Sequence, residues 1–192
     1  MMKLNNYKII LASNSPRRKE LLSGIDIDYE IRTLPDIDES FPENIAQDEV
    51  AEYLAAKKAE AYLPDLNDNE LLITADTLVL LEDNILGKPA DIYEASLMLK
   101  ALSGKTHRVI TGVCLTTTAK THRFSDTALV TFAEITSSEI EYYLQRYNPL
   151  DKAGAYGVQE WIGYVGVEKI EGSYFNVMGL PIHKVYRALK RF

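Results

Sequence analysis

Apolar and polar positions change period several times along the chain, and each change predicts an element. Residues 7–13, YKIILAS, form an apolar run that predicts a strand. Ser15 then fits an N-cap and Pro16 the first helical position, so a helix should run through Leu22 and stop near Gly24. A second strand is expected over 28–33, a loop over DIDESFPEN, and a helix from about 45 to 62. LLITADTLVLL, 71–81, predicts a long strand, then a turn at Asp83-Asn84 and a short return strand to Leu86. Asp91 and Glu94 form a capping box for a helix ending at Ser103-Gly104. Residues 107–117 and 122–134 alternate and are rich in Thr and Val, which predicts a hairpin. Thr136 and Glu139 suggest another capping box, for a helix to about Tyr147. A strand pair is expected at 163–170 and 173–178, and Pro181 should start a last helix. Strands and helices mix without strict alternation. The expected class is therefore α/β (mixed α+β), a mixed sheet with helices packed around it, in one continuous domain over 1–192.

Charge and cysteine usage narrow the partners. The net charge of −7 argues against nucleic acid or an anionic membrane as a bulk partner, so any anion site must be a local basic cluster. No apolar run approaches the length of a membrane span. Cys114 is the single cysteine, so no intramolecular disulfide can form. No secretory leader is read, and the expected compartment is the cytoplasm.

Three polar interruptions carry candidate chemistry. The first is SNSPRRK, 13–19, at the passage from strand to helix. Unpaired N–H groups and the helix dipole suit a phosphate there, Ser13 and Ser15 add hydroxyls, and Arg17 and Arg18 add forked donors. It is not a Walker A loop, because the glycines and the Gly-Lys-Ser/Thr ending are missing. A solvated basic face is the plain alternative. The second is Asp76, which breaks an apolar run. A buried carboxylate needs a partner, and Thr74 and Thr77 are the local choices. Hairpin geometry also suggests Lys88, and such a pair can serve as a general base or hold a divalent cation. The third is PLDKAGAYGVQ, 149–159, where small residues let backbone approach a ligand and Gln159 offers both a donor and an acceptor to a base edge. A tight turn between elements is the plain reading of that stretch.

Together these stretches resemble the Maf family of nucleoside triphosphate pyrophosphatases. The resemblance rests on LAS-x-SPRR-x-ELL, the Glu39 region followed by LA-x-x-KA at 54–59, ADT at 75–77 and GKP at 87–89. LSG-x-x-H-x-V-x-TGV at 102–113, DKAGAYG-x-Q at 151–159 and GSY-x-x-V-x-GLP at 172–181 complete it. Arg17, Thr77 and Gln159 resemble the branch that hydrolyses dTTP and UTP rather than the sister branch that prefers 7-methyl-GTP.

The resemblance implies hydrolysis to the monophosphate and pyrophosphate, with Asp76 as general base. It implies that Ser13, Arg18, Lys58 and Lys88 bind phosphates, and that Glu39 and Asp76 lie near a divalent cation, Mg²⁺ or Mn²⁺. Arg17, Thr77 and Gln159 would shape the base pocket, and Lys57 would be a neighbour of Lys58 on another helix face. It further implies a twisted mixed sheet in two lobes with a cleft, inosine-triphosphatase-like, and a homodimer. Two rival functions are a nucleotide-binding module linked to septum formation with little turnover, and a phosphatase releasing orthophosphate. His107 is expected to bond backbone from a strand or loop, His122 to sit in a hairpin turn, and His183 to lie on the last helix; the three show no zinc spacing. Cys114 is expected to be an inert core thiol and Trp161 to cover the core edge.

Overall fold

Sheet pairing follows from where the apolar runs fall. The computed structural model describes residues 7–192. In chain order the elements are β1 (Lys8–Leu11), α1 (Pro16–Ser23), β2 (Tyr29–Ile31), α2 (Gln47–Glu60), β3 (Glu70–Leu81) and β4 (Asn84–Leu86). They continue as α3 (Ile92–Leu102), β5 (Thr106–Thr116), β6 (Thr121–Phe132), α4 (Ser137–Tyr147), α5 (Trp161–Gly166), β7 (Val167–Glu171), α6 (Tyr174–Met178) and α7 (Ile182–Leu189). Short 3₁₀ turns occupy Leu63–Asp65 and Ala153–Ala155. Among the described residues the strands form one seven-stranded sheet of order β2-β1-β3-β5-β6-β7, with β4 added to β3. The sheet is mixed: β1 pairs parallel with β2 and β3, whereas β3–β4 and β6–β7 are antiparallel. The mixed α/β class with helices around a mixed sheet is what the sequence pattern predicts.

The chain divides into two compact units, and β3, β5 and β6 each pass from one to the other. The first holds residues 7–76, Thr111–Asp126 and Gly179–Phe192. Its core packs Ile10, Leu72 and Cys114 of three strands against Ala55, Ala59 and Tyr62. Burial pushes the Cys114 thiol above its ordinary pKa, so it is the inert core thiol expected. The second unit holds Thr77–Ile110 and Thr127–Met178. His107, Phe132 and Tyr156 meet edge to face in its interior, with ring centroids 4.9–5.5 Å apart.

Capping chemistry is read correctly in one helix and only partly in two others. At α4 the Thr136 hydroxyl accepts from the Glu139 N–H, and the Glu139 carboxylate accepts from the Thr136 N–H. At α3, Asp91 accepts from the Glu94 N–H, but the Glu94 carboxylate takes the N–H of Ala90 rather than that of Asp91. Ser15 does precede α1, yet its side chain caps nothing; its own N–H donates to Ser13 Oγ at 3.2 Å.

Four local expectations are corrected. The β3–β4 turn is Glu82-Asp83, one residue early, with Glu82 at φ 55° and Leu81 opposite Asn84. His122 lies on β6, not in the preceding turn. His107 sits on β5 as expected, but its Nε2 lies 2.8 Å from the Tyr156 hydroxyl instead of on backbone. The pair expected at 163–170 and 173–178 does not exist. Residues 161–166 and 174–178 are helical, and the strand between them, β7, pairs with β6. Strand-like composition loses to tertiary contacts here. Gly172, at φ +120°, breaks the run, and the buried Asn176 amide donates to the Val109 carbonyl at 2.9 Å.

Burial holds the His107 imidazole down at about pKa 4, below the ordinary value of about 6.5. As pH falls, the unfolded chain therefore takes up this proton first. The stability the neutral ring supplies is complete above about pH 6.5. It should decline toward pH 4 by about 1.4 kcal/mol per pH unit. Urea denaturation across that range should show the slope, and His107→Gln should flatten it; an unchanged slope would assign the titration to another group.

Candidate active site

The carboxylate that interrupts β3 finds its partner on α2. Asp76 and Lys58 are both largely buried, with side chains 13% and 15% exposed. Lys58 Nζ donates to Asp76 Oδ1 at 2.5 Å and pairs with Glu39 Oε1 at 2.8 Å. One ammonium thus draws together a carboxylate from a strand and another from the loop before α2. Thr74 is not the residue that does this. Thr74 instead donates to the Ala55 carbonyl at 2.6 Å, which fastens α2 to β3.

The helix can lie that close because of a glycine. A Cβ on Gly112 of β5 would stand 2.2 Å from the Ala51 carbonyl carbon and oxygen, so only glycine admits the α2 backbone. The TGV stretch is therefore packing that sets the position of Lys58.

Adjacent lysines share the same loop. Lys57 Nζ donates to Asp38 Oδ2 and the Ser40 carbonyl, each at 2.7 Å, and to Ser40 Oγ at 3.0 Å. Asp38 also accepts from the Ser40 N–H at 2.9 Å. These bonds hold Asp38 well below the usual carboxylate pKa, the Lys57 contact most of all. Lys57, expected as a mere neighbour, clamps the residues on either side of Glu39.

Ser13 is buried and Arg17 and Arg18 are half-buried, the arginines on the first turn of α1. Arg18 Nε donates to the Gly179 carbonyl and Nη1 to the Ala75 carbonyl, both at 2.8 Å. It therefore ties α1 to the residue just before Asp76. Burial lowers the Arg18 guanidinium below its ordinary pKa, partly offset by the charge of Asp76.

The second unit carries Thr77, Lys88 and Gln159. Thr77 is half-buried on β3, and Lys88 is exposed two residues beyond β4. The Gly87 carbonyl accepts from the Gly154 N–H at 3.1 Å, joining the GKP and AGAYG stretches. Gln159 Oε1 is buried with no hydrogen-bond partner among the described residues. Beside it, Glu160 accepts from the Tyr143 hydroxyl and pairs with the buried Lys152 at 3.2 Å.

All but the first of the described residues also match a known sequence family. A model for Maf-like protein covers residues 8–192. The chain belongs to that family. Relatives include the dTTP/UTP pyrophosphatase of Parabacteroides distasonis, 58% identical over 98% of this chain and 98% of the relative. That of Phocaeicola vulgatus is 56% identical over 98% and 97%. Among solved structures, a nucleoside-triphosphatase / dITP/XTP pyrophosphatase from Mycobacterium abscessus aligns over 94% of this chain and 93% of its own. Its TM-score is 0.47 at 15% identity.

In this Maf-like protein the structure brings together Asp76, Lys58 and Glu39, and sets Arg18 on the residue before Asp76. It places Thr77, Lys88 and Gln159 in the second unit. Sequence reasoning passed over Tyr143 and Glu160. A usable signal was present: Tyr143 falls on the apolar stripe of α4, where a phenol needs a buried partner for its hydroxyl.

Gly112→Ala should push α2 off the sheet and displace Lys58. We expect a loss of about 2–3 kcal/mol in urea unfolding, as overpacking costs, with turnover falling further than stability explains. Unaltered stability would show that the helix can retreat freely.

Proposed function

We infer that this chain is a dTTP/UTP pyrophosphatase, hydrolysing the triphosphate to the monophosphate and pyrophosphate. The observation that carries the reading is the convergence of Asp76 and Glu39 on the Lys58 ammonium. Near-full-length relatives carrying that name support it. A module that only bound nucleotide would have no need of a carboxylate at so costly a position.

Asp76 serves as the base. It takes the proton of a water that attacks the α-phosphorus, and the bond from that phosphorus to the bridging oxygen breaks as pyrophosphate leaves. Lys58, Lys88, Arg18 and Ser13 meet the phosphate oxygens, so that the charge gathering on the leaving group falls on preplaced donors. Among the described residues no cluster of three or more His, Cys, Asp or Glu could hold a metal by itself. Two carboxylates facing one cationic position nonetheless fit Mg²⁺ or Mn²⁺, which are commonly held by one or two carboxylates and substrate phosphates. Glu39 and Asp76 would hold the ion, and when bound it supplies neutralisation of the triphosphate charge.

Gln159 supports the pyrimidine preference. Its buried, unpartnered Oε1 can accept the N3–H of uracil or thymine, while its Nε2 can donate to a ring carbonyl. Arg17 and Thr77 are proposed to shape the same pocket. A cytoplasmic homodimer completes the reading. Size-exclusion chromatography with light scattering should then return twice the chain mass.

With dTTP or UTP and Mg²⁺ or Mn²⁺, the products should be dTMP or UMP and pyrophosphate. Release of orthophosphate with dTDP or UDP would overturn the assignment. Asp76→Asn keeps the volume and removes the base, so kcat should fall by about 10²–10⁴-fold in a folded protein. Near-normal kcat in that variant would move the base elsewhere.

A further inference from the structure

The segment that carries Gln159 is gripped from both sides by one phenol. The Gly157 N–H donates to Tyr143 Oη at 3.0 Å, and Tyr143 Oη donates to Glu160 Oε2. Gly157 and Glu160 bracket Gln159. The Glu160 carboxylate is held at its other oxygen by Lys152, 3.2 Å away, and Lys152 also donates to Asp151 at 2.7 Å. The Tyr143 ring cannot wander: it is fully buried and stacked on Tyr147, centroids 5.1 Å apart and planes 24° off parallel.

The segment is also tightly wrapped. A Cβ on Gly157 would stand 2.8 Å from Glu160 Cδ and 3.1 Å from Gln159 Nε2, so the amide packs on the bare glycine. Burial and the neighbouring carboxylate push the Tyr143 phenol far above its ordinary pKa, so it stays a donor at any working pH. An acceptor buried without a partner, as Gln159 Oε1 is, discriminates only if it cannot turn to find one.

We propose that Tyr143 is a positioning residue for base selection, its hydroxyl fixing the Gly157–Glu160 segment so that the Gln159 amide meets the base at a set angle. The proposal rests on the reading of Gln159 as the residue that meets the base. Tyr143 acts through Gln159 and does not itself touch substrate. A merely structural tyrosine would change stability, and would change turnover of all nucleotides alike.

The decisive readout is the ratio of kcat/KM for dTTP to that for CTP, measured with Tyr143→Phe, Gln159→Ala and the double variant, each checked for folding by thermal melting. Tyr143→Phe keeps the ring and should lower the ratio by about tenfold, the weight of one well-placed hydrogen bond. It should lower the ratio no further once Gln159 is alanine. Glu160→Ala takes away the oxygen to which the phenol donates, so it too should lower the ratio, and it decides the matter if Tyr143→Phe does not fold. An unchanged ratio in folded Tyr143→Phe, or in folded Glu160→Ala, beside a reduced one in Gln159→Ala, overturns the positioning role and leaves base reading intact. An unchanged ratio in Gln159→Ala overturns base reading itself and the positioning role with it.

Discussion

A carboxylate set into a buried strand constrains much of the first unit. β3 is buried at every position from Glu70 to Ala75, and then Asp76 follows. Desolvating a carboxylate costs several kcal/mol, and removing the partner of a buried pair typically costs about 3–5 kcal/mol. Lys58 is the compensation, and it comes from eighteen residues upstream. Bringing it there requires α2 to lie flat on the sheet, which in turn requires Gly112 under Ala51 and the Thr74 bond to the Ala55 carbonyl. Three stretches that look unrelated in the sequence are thus consequences of one charge.

Elements whose signals are local were legible in the sequence. The Thr136–Glu139 box, Pro16 at the head of α1 and the apolar run of β3 each announce themselves within a few residues. What could not be read was whatever depends on a distant partner. Residues 174–178 carry Tyr, Phe and Val, and strand propensity is the natural reading. They are helical, and the Asn176 amide within them reaches the Val109 carbonyl, 67 residues away. The site shows the same division. Asp76 stands out as an anomaly in its own run, but its pairing with Lys58, which Lys58 shares with Glu39, is tertiary, and local reasoning offered Thr74, Thr77 and Lys88 instead. Tyr143 was the hardest to see, since its hydroxyl meets a loop fourteen residues on.

Arg18 makes contacts that its residue type does not announce in the sequence. Its forked donors suit phosphate, yet two of them are engaged with carbonyls of Ala75 and Gly179. A cation in the first turn does nothing for its own helix. Here its use is to fasten that helix to the backbone immediately before Asp76, so that the strand-to-helix turn and the residue next to the Asp76 carboxylate are held by the same side chain.

Lys57 and Lys58 divide the work of holding the acidic loop. Adjacent helical residues point about 100° apart, which should send them to different surroundings. They reach the same loop because it folds around that face of α2: Lys57 takes Asp38 and Ser40, and Lys58 takes Glu39. The strengths of the two holds differ in kind. The Lys58–Glu39 pair has a half-exposed carboxylate and is worth roughly 0–1 kcal/mol, as surface pairs are. Lys57 spreads its hold over three acceptors, one of them backbone, so the loop stays in place if Glu39 exchanges Lys58 for another cation. The bonds of Lys57 fall on the residues either side of Glu39, so the shape of the loop does not hang on the Lys58–Glu39 pair alone.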